Sequence, residues 1–147
     1  MNLLENKKVR LRFSLLESFQ AGMELSGGEV KALRNKLGSL EGSRVLVRGG
    51  EAYLVGSTIP PYQTANTTTT YDPERTRRLL LSKKEIAELA EAESRKGLTV
   101  VPLEVYNAGR YIKLRVAIAR GKGKEDKRED LKKKDADRES ARLLRKK

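Results

Sequence analysis

The sequence predicts a mainly β protein: a closed antiparallel barrel of about six short strands with two to three short helices, followed by a basic C-terminal tail. Short segments that alternate apolar and polar residues predict half-buried strands, and a glycine pair between two of them predicts a hairpin. Strand and helix signals do not alternate regularly, which argues against a doubly wound parallel sheet. A chain of 147 residues suits a small barrel, because closure leaves no exposed sheet edge.

Composition narrows the possible functions. The formal net charge is +12 and the pI is about 10.0, which favours a polyanion as the partner. The chain has no Cys and no His, which excludes disulfides and thiolate sites and removes the commonest general base and transition-metal ligand. The N-terminus has no apolar run typical of a signal peptide, and no stretch is long and apolar enough to span a membrane. We therefore expect a cytoplasmic protein with no membrane partner.

The N-terminal region predicts strands. Residues 9–15 alternate, with Val9 and Leu11 on the apolar side and Arg10 and Arg12 on the other, so they predict a half-buried strand with basic residues outside. Residues 15–25 predict further strand, interrupted near Ala21-Gly22.

Two capping boxes predict helices. Ser26 and Glu29 have the spacing of the first, and the helix that follows is expected to end at Gly38. Ser82 and Glu85 have the spacing of the second, which Gly97 is expected to end. The apolar stripes at helical spacing are Val30, Leu33 and Leu37 in the first helix, and Ile86, Leu89 and Ala90 in the second.

The remaining strands are marked by turn residues. Gly49-Gly50 separates two apolar runs and predicts a hairpin. A strand begins at Leu98, and Pro102 places it at an edge or a bulge because proline donates no hydrogen bond. After a turn at residues 107–109, the alternation from Tyr111 to Ala119 predicts the clearest strand of the chain.

A cluster of arginines predicts contact with RNA. Arg75, Arg77 and Arg78 precede Leu79-Leu80-Leu81, so the leucines are expected to anchor the segment in the core and hold the arginines at its rim. Guanidinium groups bind phosphates as forks and stack on bases.

The C-terminal end is a separate region. Residues 1–119 are expected to form the RNA-binding barrel domain, and residues 120–147 the tail. The tail has 13 Lys/Arg against 7 Asp/Glu, a net charge of +6. Its few apolar residues cannot offset the entropy lost on ordering, so we expect it to be disordered when free and to form a helix on RNA.

The order of motifs resembles the SsrA-binding protein (SmpB) family, from about residue 5 to the end. The motifs that carry the resemblance are Asn6-Lys7-Lys8, Phe19-Gln20-Ala21-Gly22, Gly28-Glu29-Val30-Lys31-Ala32-Leu33-Arg34, Gly50-Glu51-Ala52-Tyr53-Leu54, Asp72-Pro73-Glu74-Arg75-Thr76-Arg77-Arg78-Leu79-Leu80-Leu81, Lys96-Gly97-Leu98-Thr99-Val100-Val101-Pro102-Leu103 and Ala119-Arg120-Gly121-Lys122, followed by Asp126-Lys127-Arg128-Glu129-Asp130. The sequence departs from the family pattern at Gln20, where a carboxylate is usual, and at Gly123, where Lys is usual.

The resemblance implies an OB-like barrel that binds the tRNA-like domain of transfer-messenger RNA. It implies entry, with elongation factor Tu, into the A site of a stalled ribosome. The tail would meet small-subunit rRNA at the decoding centre and in the empty mRNA channel, where it becomes helical. It further implies a monomer that is not an enzyme and needs no cofactor or metal.

The resemblance also implies site residues. Those expected to contact transfer-messenger RNA fall at three places, namely Asn6, Lys7 and Arg10; then Gln20, Gly22, Glu29, Lys31 and Arg34; and then Arg75, Arg77 and Leu80. Those expected to contact the ribosome are Lys122, Asp126, Lys127, Arg128, Leu131, Lys132, Lys133, Lys134, Arg138 and Arg142.

Two other functions fit part of the sequence. A constitutive ribosomal protein with a basic extension has the same composition, and stoichiometric co-purification with all ribosomes would identify it. A Mg²⁺-dependent nuclease would need clustered carboxylates. No recognisable metal-ligand spacing links Glu17, Glu24, Glu29 and Glu41, so we expect these carboxylates to be surface and capping groups.

Overall fold

The computed structural model describes residues 2–62 and 70–122 of the chain. In this part, the strands are β1 (Asn2–Glu5), β2 (Phe13–Met23), β3 (Arg44–Arg48), β4 (Glu51–Val55), β5 (Arg77–Leu80), β6 (Leu98–Ala108) and β7 (Tyr111–Gly121). The helices are α1 (Val9–Arg12), α2 (Gly27–Arg34) and α3 (Lys83–Ser94). The prediction of a mainly β fold is confirmed.

The strands form one antiparallel sheet that closes on itself. The hydrogen-bonded order is β1-β6-β3-β4-β5-β2-β7, and β7 also pairs with β6. Six strands, β2 to β7, therefore form a ring. Strand β1 pairs with β6 at Val105, on the same edge of β6 that pairs with β3 at Val100.

Tight turns join the paired strands. Gly49 and Gly50 have φ angles of 59° and 77° between β3 and β4, which confirms the predicted hairpin. Gly109, with φ of 64°, and Arg110 join β6 to β7. The register of β6 against β7 shifts between Pro102 and Glu104, so of the two positions predicted for Pro102, an edge or a bulge, the structure shows the bulge.

Both capping boxes are present. Ser26 Oγ accepts from the Glu29 N–H while the Glu29 carboxylate accepts from the Ser26 N–H. Ser82 and Glu85 make the same pair of bonds at the start of α3. Each box satisfies N–H groups that the first turn of a helix leaves without partners. Both helices therefore begin where the sequence predicts.

The core lies inside the ring, and a second cluster lies outside it. Residues from β2, β4, β6 and β7 fill the interior together with Ala32 and Leu33 of α2 and Leu89 of α3. The second cluster is on the outer side of β6 and β7, where Val9 of α1 covers it; its other members are Val101, Leu103, Ala117 and Ala119. One end of the outer side of β6 and β7 is thus apolar and covered.

The N-terminal region differs from the prediction. Residues Asn2–Glu5 form a strand that the sequence did not reveal, and Val9–Arg12 form a helical turn instead of a strand. The chain must pass from the edge of β6 to the edge of β7 between β1 and β2, and a helical turn makes this step while burying Val9. As a result Leu11, expected inside, is 61% exposed.

Three boundaries also differ. Strand β2 is continuous through Ala21-Gly22, where it gains β5 as a second partner while keeping β7. Helix α2 ends at Arg34 instead of Gly38, because Lys36 already has a φ of 60°. Strand β7 runs past the expected domain end at Ala119 to Gly121, where it pairs with Phe13. No helix in the described ranges has the length and hydrophobicity required to cross a membrane.

Candidate nucleic-acid interface

A buried ionic cluster stands at the start of α2. Both side-chain oxygens of Glu29 accept hydrogen bonds from Arg75, and Oε2 also accepts from Arg77 Nε at 2.9 Å. Arg77 Nη1 donates to the Ser57 hydroxyl at 3.2 Å and to the Arg75 carbonyl at 2.9 Å. Tyr71 donates its hydroxyl to the Ile59 carbonyl at 2.6 Å and lies 3.3 Å from Arg77 Nη2. We call Glu29, Ser57, Tyr71, Arg75 and Arg77 the buried ionic cluster.

The cluster keeps Glu29 ionised inside the protein. Burial alone would raise the pKa of its carboxyl, but hydrogen bonds from Arg75, the Ser26 N–H and Arg77 lower that pKa to about 2. The side chains of Glu29 and Arg77 are both fully buried. The cluster therefore joins α2 to the segment around Ser57 and to the start of β5 through the buried charges of Glu29 and Arg77 and the partly exposed charge of Arg75.

The expected arrangement around β5 was wrong in part. Residues alternate along this strand, so Arg77 and Leu79 point into the ring while Arg78 and Leu80 point out. Arg77 is 0% exposed, where the sequence predicted a position at the rim, and Leu80 is 49% exposed, where it predicted the core. The physical reason is that Glu29 offers Arg77 an ionised partner inside, which the one-dimensional pattern does not show.

The exposed residues that the sequence singled out meet on the outer side of the ring. Directly paired residues on antiparallel strands share a face, and Gly22 pairs with both Leu80 and Lys113. Gln20, two residues earlier on β2, shares this face. A groove of about 370 Å³ runs along it; its lining includes Gln20, Gly22, Leu80, Arg110, Tyr111 and Lys113. We call these six residues the outer face.

A glycine is required at the centre of the outer face. A Cβ atom on Gly22 would lie 3.1 Å from the Leu80 Cβ and 3.4 Å from the Leu80 Cδ1. The absence of a side chain keeps the floor of the groove low, so a partner can approach the strand backbone closely.

Two cations, Arg110 and Lys113, line the groove, and Lys31 follows the groove residue Val30 on α2. None of these three cations makes an ion pair with a carboxylate in residues 2–62 or 70–122. By contrast, Arg78 binds Glu24 and Glu51 on the same side of the sheet. The unpaired cations are therefore available to bind anions such as phosphates.

Arg34 connects α2 to the outer face. Its Nη2 donates to the Arg110 carbonyl at 2.9 Å. Arg110 lies in the two-residue turn between β6 and β7, so the bond holds the hairpin tip against the helix. Arg34 remains exposed and positively charged while making this bond.

The first of the three predicted places lies elsewhere. Asn6 donates its side-chain amide to the Pro102 carbonyl at 3.0 Å, and Lys7 and Arg10 are exposed beside it. Phe13, just after α1, is nine residues from Gly22 along β2, which is about 30 Å of extended chain. The structure therefore brings the contacts predicted on β2 and α2 close to those predicted on and just before β5. It separates both groups from Asn6, Lys7 and Arg10.

The first place is close to the start of the C-terminal tail. The Lys122 N–H donates to the Arg12 carbonyl at 2.9 Å, which holds the end of β7 against α1. Other predicted ribosome-binding residues lie outside the described part of the chain; they are Asp126, Lys127, Arg128, Leu131, Lys132, Lys133, Lys134, Arg138 and Arg142.

Comparison with known proteins identifies the family. The family model described as SmpB protein matches residues 3–146. The chain belongs to the SmpB family. It is 48% identical to the SsrA-binding protein of Alkalilimnicola ehrlichii over 139 residues, covering 95% of this chain and 87% of that protein. It is 48% identical to the SsrA-binding protein of a Chelativorans species over 141 residues, covering 95% and 90%.

A solved structure shows the same fold. It is described as "tmRNA-SmpB: a journey to the center of the bacterial ribosome", and its matching chain is 40% identical with a TM-score of 0.70. The match covers 87% of this chain and 93% of that chain. The family match over residues 3–146 includes both the buried ionic cluster and the outer face.

Several residues of these two regions were not predicted as site residues from the sequence of this SmpB-family chain. Tyr71 and Ser57 complete the buried ionic cluster, and no local pattern distinguishes them from other polar loop residues. Tyr111 was predicted only as the start of a strand. The alternation of side chains along β7 could have placed Tyr111 on the outer side of the sheet. It precedes Lys113 by two residues, and the even-numbered apolar residues of this strand point inward. Within the described ranges, no group of three His, Cys, Asp or Glu side chains could hold a metal ion.

Proposed function

We propose that this chain binds transfer-messenger RNA and acts as a non-enzymatic adaptor that brings this RNA to stalled ribosomes. Membership of the SmpB family over residues 3–146 carries the proposal. Relatives are named SsrA-binding proteins, and the solved neighbour is described as tmRNA-SmpB of the bacterial ribosome. The unpaired cations around the outer face agree with a polyanionic partner.

The ring of strands acts as an OB-like barrel that presents the outer face to the tRNA-like domain of the RNA. Gln20 and Leu80 contact the RNA directly, Gly22 allows its close approach, and Lys31 binds phosphate. Glu29 and Arg77 act differently, because neither has an exposed side chain. They hold α2 and β5 in position, and Arg75, whose side chain is 36% exposed, spans the two roles.

The opposite end of β2 carries the first predicted group of transfer-messenger RNA contacts, beside the start of the tail. Asn6, Lys7 and Arg10 bind a second part of transfer-messenger RNA there, while the tail from Lys122 onward binds small-subunit rRNA at the decoding centre and in the mRNA channel. The separation of about 30 Å along β2 allows two RNA molecules to bind one small protein at the same time. The protein works as a cytoplasmic monomer alongside elongation factor Tu, without a cofactor.

Binding to transfer-messenger RNA is the first test. In a gel-shift assay, labelled transfer-messenger RNA should bind, and excess ordinary tRNA should compete poorly. Affinity should fall steeply with salt, with log K changing by about 0.7–0.9 per phosphate neutralised for each unit of log salt. Equal competition by tRNA would contradict the proposal.

Removal of the tail is the second test. The cut belongs after Lys122, because β7 extends to Gly121 and the Lys122 N–H binds Arg12. The protein that ends at Lys122 should bind transfer-messenger RNA almost as well as the full chain, yet fail to support peptide tagging on stalled ribosomes. Normal tagging by this shortened protein would show that the two ends do not divide the work in this way.

A further inference from the structure

The aromatic side chain of Tyr111 is exposed to solvent. It is 71% exposed, more than any other large hydrophobic side chain in residues 2–62 and 70–122. Its ring therefore gains little from burial in the protein itself. Such a side chain in a groove is positioned to contact a partner instead.

The backbone beneath Tyr111 is fixed. Tyr111 is the first residue of β7 and pairs with Ala108 across a two-residue turn. Gly109 in that turn has the positive φ of 64° that a tight turn requires. The bond from Arg34 to the Arg110 carbonyl then fastens the turn to α2. The ring is consequently presented from a rigid position, and little entropy would be lost when a partner contacts it.

The surroundings of Tyr111 select the chemistry of that partner. Leu80, which is exposed, supplies apolar surface in the same groove, and Arg110 and Lys113 supply positive charge. The residues that line the groove include no Asp or Glu. A flat apolar ring between cations fits a nucleobase next to its phosphates better than it fits an apolar protein surface.

We propose that Tyr111 stacks on an unpaired nucleobase of the bound RNA while Arg110 and Lys113 bind the flanking phosphates. The proposal rests on the proposed function, since it names what the outer face recognises in transfer-messenger RNA. Bases inside a duplex are already stacked on each other, so the recognised base belongs to a loop or bulge. The outer face thus distinguishes a folded RNA with a splayed base from a plain helix.

Truncation and conservative substitution test the stacking. Tyr111→Ala should weaken binding to transfer-messenger RNA about tenfold, a loss typical of one base–aromatic stack. Tyr111→Phe keeps the ring and should bind within about twofold of the wild type. Leu16→Ala is the matched control, because Leu16 on β2 is also a large, exposed apolar side chain (53%) but lines a different groove. This variant should bind like the wild type. Wild-type affinity of Tyr111→Ala would overturn the proposal.

A fluorescent variant tests the contact directly. The chain has no Trp, so Tyr111→Trp introduces a unique fluorophore at this position. Transfer-messenger RNA should quench its emission at a stoichiometry of one, whereas an uninterrupted RNA duplex should not. Unchanged emission in the presence of saturating transfer-messenger RNA would show that no base stacks at this position.

The two proposals fail in different ways. If the wild type does not prefer transfer-messenger RNA over tRNA, the proposed function is wrong. If the wild type shows this preference while Tyr111→Ala and the tryptophan emission show no effect, the function stands and the stacking role is wrong.

Discussion

The buried ionic cluster and the outer face are built from the same short strand in opposite ways. β5 sends Arg77 into the ring and Leu80 out of it, although the charged residue would ordinarily be outside and the leucine inside. The difference teaches that strand parity and the partner across the ring, more than residue type, decide where a side chain goes. The charge of Arg77 is stable inside the ring because Glu29 provides an ionised partner there.

The two regions also differ in how they depend on their residues. In the buried ionic cluster Glu29 is bound by both Arg75 and Arg77, so removal of Arg77 takes one of two partners from a charge that is buried. On the outer face the cations have no ion-pair partner in the described chain, so their loss changes binding more than folding. Mutations can therefore separate folding from RNA recognition.

The largest expected effect follows the loss of Arg77. Arg77→Met should lower the free energy of unfolding by about 3–5 kcal/mol, because Glu29 loses a buried partner. Arg78→Met, at the next residue, breaks only ion pairs of a side chain that is 44% exposed, and should lower stability far less than Arg77→Met. Urea denaturation measures both, and equal losses would contradict the assignment of Arg77 to the interior.

The second-largest effect is expected from acid, which should weaken the buried ionic cluster. The carboxyl of Glu29 has a pKa of about 2 in the folded protein and an ordinary value of 4.5 when unfolded, so the unfolded chain binds its proton first. The stabilisation is complete above pH 4.5 and disappears as the pH falls towards 2, and it amounts to about 3 kcal/mol. Carbon NMR of the Glu29 carboxyl measures this pKa, and a midpoint near 4.5 would show that the cluster does not form in solution.

Much of the fold could be predicted from sequence because its signals are local. The hairpin at Gly49-Gly50 and both capping boxes depend on a few adjacent residues, and all were confirmed. The helical turn at Val9–Arg12 could not be predicted, because it depends on how β1 and β2 are placed around β6 and β7. Alternation alone gave the wrong structure there.

Less of the candidate site could be predicted. Motif resemblance found Gln20, Gly22 and Leu80, which the structure brings into one groove. It did not separate them from Glu29 and Arg77, since residues that hold a site and residues that line it occur in the same motifs. Burial makes that distinction, and burial depends on contacts between residues that are far apart in sequence, such as Arg77 and Glu29.

A smaller effect is expected at the floor of the outer face. Gly22→Ala places a Cβ atom 3.1 Å from the Leu80 Cβ, so β5 must shift slightly, at a cost of about 1 kcal/mol in the free energy of unfolding. The added methyl group also raises the groove floor and should weaken RNA binding severalfold. Gly28→Ala is the matched control, since its Cβ meets nothing within 4 Å. If both variants bind RNA equally well, close approach at Gly22 is not required.

The smallest effect on stability, and the sharpest distinction between positioning and contact, is expected at Arg34. Arg34→Lys keeps the charge but not the guanidinium fork that reaches the Arg110 carbonyl. Since Arg34 is exposed, stability should change by less than about 0.5 kcal/mol. Amide exchange at residues 109–111 should become faster, and RNA affinity should fall with an unchanged salt slope, because the number of phosphates neutralised stays the same. Unchanged exchange and affinity would instead show that Arg34 acts only as a positive charge on the surface of α2.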